Sequence, residues 1–151
     1  MKIQTLITIA AMLALAACSE EAKGPGAEAA HARHENFEKL GKAFKGLSEE
    51  AKKSTPDAAA MAASAATIDD LAKDLPNWFA AGSGPQDGVK THAKAEVWTD
   101  APGFADKARA LREKTAALRA ASSQGAAAMA PLIGDVGDRC GACHKQYRSR
   151  A

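Results

Sequence analysis

The stretch Val136-Gly137-Asp138-Arg139-Cys140-Gly141-Ala142-Cys143-His144-Lys145-Gln146-Tyr147-Arg148 decides how this chain is read. Two cysteines three apart are followed at once by a histidine, the Cys-x-x-Cys-His spacing of c-type haem attachment. The chemistry sets the spacing. Two thioethers must reach the two vinyl groups on one edge of a porphyrin, and the next residue must bring an imidazole to the iron. On a helix, positions three apart share a face, so both sulfurs point roughly the same way. A bare Cys-x-x-Cys in an exported protein has other readings, a disulfide or a redox pair. Thioredoxin-like pairs, however, open a helix after a strand, and no strand is legible here. A structural zinc site takes four ligands, and only one such cysteine pair is available.

Outward from that segment the chain reads as helix. Alanine dominates and aromatics are only 5%. Alanine loses no side-chain entropy on entering a helix. So few bulky residues leave a thin core, which a large apolar cofactor would help to fill. The first helix is predicted from about Glu28 to Lys53, with Ala30, Phe37, Leu40, Phe44, Leu47 and Ala51 on one stripe and Arg33 among them. The second follows Ser54-Thr55-Pro56-Asp57, a start signal, with Ala60, Ala65, Ile68, Leu71, Ala72 and Leu75 inward. A long connection, residues 77–100, holds Trp78, Phe79 and Trp98. The third helix runs from near Pro102 to about Ser122 with Phe104, Ala108, Leu111, Thr115 and Leu118 inward. The fourth reaches about Arg148 with Met129, Leu132, Val136, Cys140, Cys143 and Tyr147 inward, starting or kinking at Pro131. Four helices and no strands predict an all-α, antiparallel four-helix bundle.

The first residues carry a different signal. Lys2 precedes an apolar run, Ile3 to Ala17, too short to span a membrane as a helix. It ends Leu15-Ala16-Ala17-Cys18, which resembles a bacterial lipobox and implies cleavage before Cys18 and lipidation of its thiol. The alternative is an ordinary cleavage site that happens to contain Cys. The expected layout is a signal peptide over 1–17, a flexible tether over 18–27 and the helical domain over 28–151. The protein would then be held by its lipid on the periplasmic side of a bacterial membrane. The chain has 20 Lys and Arg against 18 Asp and Glu. That balance argues against nucleic acid as a partner.

The C-terminal segment, together with Ala93-Lys94-Ala95-Glu96-Val97-Trp98-Thr99-Asp100 and Asp74-Leu75-Pro76-Asn77-Trp78-Phe79, resembles the class II c-type cytochromes, the cytochrome c′ family. Ala95 and Val97 depart from the Pro and Ile usual in that family. The resemblance covers about residues 28–150. It implies one covalent haem c near one end of the bundle, linked through Cys140 and Cys143, with His144 as the iron ligand. It places Arg148, one turn later, near the proximal haem face, and it brings Trp78 and Trp98 to the haem end. The alternative for Arg148 is a solvated cation at a helix C-terminus.

The resemblance also sets Arg33 and Phe37 on the distal side, where a Met would make iron six-coordinate and an apolar residue leaves it five-coordinate. Phe37 cannot ligate, so the expectation is high-spin haem that binds NO or CO, transfers single electrons, or does both. The alternative is a six-coordinate, low-spin periplasmic electron carrier. An enzymatic role would need a distal acid-base group; His34 is the only candidate, and the chain is read as a non-enzyme. Met129 lies 15 residues before His144, about 22 Å along one helix, and Met61 is on another helix. Arg33, on an inner stripe, needs an anion, and a haem propionate would supply it. A periplasmic redox partner and a homodimer are the further partners that the resemblance suggests.

Overall fold

The computed structural model describes residues 24–150. The predicted signal peptide and Cys18 lie outside the described residues. Four long helices make the bundle: α1 (Pro25–Glu50), α2 (Ala58–Asp74), α4 (Ala101–Ala121) and α5 (Ala126–Tyr147), with a single-turn α3 (Glu96–Thr99) between the two pairs. The described residues contain no strand, only an isolated antiparallel bridge between Ala93 and Arg148.

Local chemistry explains the boundaries. Pro25 occupies the first turn of α1 behind Gly24, whose φ of 133° favours glycine. The helix therefore takes in residues 25–27, which the sequence reading gave to the tether, and it ends at Glu50 rather than Lys53. Asp57 caps α2 by accepting from the Ala59 and Ala60 amides at 2.9 and 3.1 Å. Asp100 caps α4 through the Gly103 amide at 3.2 Å. Pro131 lies inside α5, which runs on through it.

α1 packs on α2, α2 on α4, and α4 on α5. The fourth side, between α1 and α5, has no comparable backbone approach. The buried stripes follow from this. All five positions expected inward on α4 are buried. On α2, Met61 is buried and Ala60 is exposed, so the inner face is rotated by one residue at its start. On α1, Phe37 and Phe44 are only half-buried, because they border the open side, and Ala51, just past its end, is half-buried as well.

One carboxylate sits in the core. The Asp69 side chain is 2% exposed and meets Lys73 at 2.6 Å, Arg119 at 3.3 Å and the Thr115 hydroxyl donor at 3.0 Å. Burial pushes its carboxyl up, but the hydrogen bonds from Lys73, Thr115 and Arg119 outweigh that and hold it below the usual carboxylate range. A depressed carboxylate stabilises the fold above its unfolded-state pKa, and this contribution is lost as pH falls through the folded value. We expect Asp69→Ala to cost about 3 kcal/mol at neutral pH. In urea titrations of wild type and variant, that difference should shrink as the pH is taken below about 4.

Candidate haem site

The last turns of α5 carry Cys140, Cys143 and His144, and the open side of the bundle faces them. Across it, on α1, stand Phe37 and Phe44. The Phe37 ring lies 6.4 Å, centroid to centroid, from the His144 imidazole. A Cβ on Gly137 would come 3.3 Å from the Phe44 ring, so glycine there lets that ring pack closely against α5.

Six of the seven aromatic residues form one connected wall at this end. Phe37 meets Trp78 edge-on at 5.1 Å and Phe79 at 6.2 Å. Phe79 in turn meets Trp98 at 5.9 Å and Phe104 at 4.7 Å, and Phe104 meets Tyr147 at 5.4 Å. A chain poor in bulky residues has placed nearly all of them around one slot, where apolar area is needed to receive a flat apolar group.

The donor set fits a haem and not a free ion. Burial pushes the Cys140 thiol up, and burial and then the neighbouring Cys140 push Cys143 up to about 11. A redox or metal-binding thiol has the opposite shift, because the thiolate is the reactive form. Among the described residues, no group of three or more His, Cys, Asp and Glu converges as an ion site. His144 is exposed at one edge. Partial burial, then the nearby Arg148 charge, lower its pKa and favour the neutral imidazole that a metal takes. Arg148 is therefore close enough to be felt at His144. Its amide closes the helix on the His144 carbonyl at 3.1 Å.

Arg33 is the second element. It is 3% exposed and points into the loop that follows α2. Its two terminal nitrogens donate to Trp78 O at 3.3 Å, Ser83 Oγ at 2.9 Å, Ser83 O at 3.0 Å and Thr91 Oγ1 at 3.0 Å. Its carbon lies 4.8 Å from the Phe79 ring centre and 5.6 Å from that of Trp98. Every one of these partners is neutral; among the described residues no carboxylate pairs with it. A buried guanidinium without an anion beside an apolar slot fits a group that carries its own carboxylates.

The structure thus brings Arg33, Phe37, Trp78, Cys140, Cys143, His144 and Arg148 to one end. Trp98 stands behind Arg33, its indole donating to Ala80 O at 3.2 Å. Trp78 donates to Asp74 at 3.0 Å. The sequence reading missed Ser83 and Thr91, since single hydroxyls in a loop give no periodic signal. Met61 and Met129 are fully buried core residues. Met61 lies 13 residues, about 20 Å, before the end of α2, beyond which Trp78 follows. α5 does not fold back at Pro131, so Met129 stays about 22 Å along the helix from His144. His31, His34 and His92 are exposed.

A helical bundle open on one side, with a Cys-x-x-Cys-His turn facing an aromatic wall, defines a c-type cytochrome of the bundle class. The chain belongs to the cytochrome c′ family, whose model matches residues 28–148, and with it carries one covalently bound c-type haem. It is 36% identical over 145 residues to cytochrome c′ of Cereibacter sphaeroides, covering 95% of both chains. The solved cytochrome c′ of Rhodobacter sphaeroides superposes with a TM-score of 0.76 at 35% identity, covering 85% of this chain and all of that one. A nitric oxide complex of a cytochrome c prime variant from Alcaligenes xylosoxidans superposes at 0.74 with 26% identity, over 83% of this chain and 97% of that one.

Arg33→Lys should not restore the cradle, because one ammonium cannot span acceptors on three residues. Thermal unfolding of the holoprotein should show Arg33→Lys nearly as destabilised as Arg33→Ala, by about 2–4 kcal/mol.

Proposed function

We propose that this chain is a lipid-anchored periplasmic cytochrome c′ with five-coordinate, high-spin haem that binds NO and CO and exchanges single electrons. Cys140 and Cys143 supply the thioethers, and His144 is the proximal ligand. Arg33 pairs with a propionate, and Arg148 biases the proximal pocket. Cys18 carries the lipid. The haem, when bound, supplies an iron with one free position and a one-electron couple.

The observation that carries this reading is Phe37, whose ring faces His144 with no ligating side chain beside it. Phe37 cannot bind metal, and its contacts with Trp78 and Phe79 fix it in place. It keeps the distal side dry and admits only a small ligand that displaces it slightly. The Trp78 indole N–H beside it is already given to Asp74, and His34 is exposed. That disfavours dioxygen, which gains from a donor, and it disfavours acid-base catalysis. The nitric oxide complex of the Alcaligenes xylosoxidans relative agrees with this choice of ligand. A periplasmic redox partner and a homodimer remain part of the proposal as partners.

The optical spectrum of the ferrous holoprotein tests it. High-spin bands that move on adding NO or CO are expected, and Phe37→Met should convert them toward low-spin bands. Sharp low-spin bands indifferent to CO in the wild type would point instead to a sixth ligand such as His34, and to the electron carrier alone.

A further inference from the structure

The Phe37 ring faces His144, and a ligand on its side of the iron has to move it. What packs against that ring therefore decides how readily it yields. Trp78 meets it edge-on at 5.1 Å, with the two planes at 89°, and Phe79 meets it at 6.2 Å. Neither neighbour is free to give way.

Trp78 is held twice. It ends the single 3-10 turn Leu75–Trp78 that continues α2, and it is buried. Its carbonyl accepts from Arg33 at 3.3 Å, and its indole donates to Asp74 Oδ2 at 3.0 Å. Phe79 carries the Arg33 guanidinium 4.8 Å from its ring centre, and Trp98 and Phe104 flank it at 5.9 and 4.7 Å. Rings packed on several sides have few other rotamers open to them.

Asp74 is the member of this group that helix stability does not explain. It is the last residue of α2, and it is exposed. A carboxylate there meets the negative end of the helix dipole, which disfavours it. It forms no ion pair among the described residues. Both of its oxygens are instead used on the turn that follows. Asn77 Nδ2 donates to Oδ1 at 2.8 Å, and the Trp78 indole donates to Oδ2. Hydrogen bonds to an ionised acceptor are the stronger ones. The acid thus fixes the plane of Trp78 at the expense of its own helix.

We infer that Asp74 is a positioning residue: through the Trp78 indole it stiffens the support of Phe37 and so sets the rate at which small gases reach the iron. This rests on the five-coordinate reading of the site. With Trp78 fixed, Phe37 has to move against a rigid neighbour. With Trp78 released, the two rings can turn together.

The test measures CO association with the ferrous holoprotein after flash photolysis. Asp74→Ala should bind CO several-fold faster than wild type, with the unliganded ferrous spectrum unchanged. Asp74→Asn keeps an acceptor for the indole and should recover most of the wild-type rate. Trp78→Phe removes the donor in place of the acceptor and should match Asp74→Ala, which keeps the test decisive if loss of Asp74 unfolds the end of α2. In a Phe37→Ala background, Asp74→Ala should leave the rate unchanged, because the two act through one contact. A second readout is independent of ligand binding. Hydrogen exchange of the Trp78 indole proton, followed by NMR, should be slow in wild type and Asp74→Asn and several-fold faster in Asp74→Ala. An unchanged CO rate in Asp74→Ala, or the same acceleration with and without Phe37, overturns the inference alone. Low-spin bands indifferent to CO in the wild type overturn the five-coordinate reading, and the inference with it.

Discussion

Three sides of this bundle are closed by helix packing, and the fourth is held open between α1 and α5. Alanine-rich helices can approach one another closely, so the gap is not a default of composition. Side chains alone cross it, the Phe44 ring against Gly137 and the Phe37 ring toward His144. Interiors normally reach crystal-like density. A flat, apolar, covalently held group between these two helices is what completes the fourth wall. The aromatic cluster, the half-buried face of α1 and the course of the loop over the helix ends all follow from that need.

The buried charge at the same end has a related origin. An unpaired guanidinium inside a protein is costly unless its hydrogens are met. Here two carbonyls, two hydroxyls and two aromatic faces meet Arg33 without neutralising it. These contacts lock the loop from Trp78 to Thr91 to α1. Asp69, by contrast, is fully compensated by Lys73 and Arg119, and it ties α2 to α4 on the side that has no slot. Each buried ion joins two elements, Arg33 the loop to α1 and Asp69 α2 to α4.

Much of this was legible in the sequence because it is periodic or locally coded. The α4 stripe, the Asp57 cap and the Cys-x-x-Cys-His turn each announce themselves within a few residues. What escaped was set by tertiary contacts. Asp69 stands four residues after Ala65 and three before Ala72, on the buried stripe of α2, and that spacing was its one signal. The rotation of α2 that buries Met61 in place of Ala60 depends on how α4 packs against it. Ser83 and Thr91 reach Arg33 from 50 and 58 residues away in the chain, a distance that no local pattern records.

The most direct measurement is a crystal structure of the ferrous holoprotein. The account predicts a porphyrin between the Phe37 ring and the His144 imidazole, thioether bonds to Cys140 and Cys143, a propionate at Arg33, and no protein atom bonded to iron on the Phe37 side. A methionine sulfur or a second imidazole on that side would contradict it.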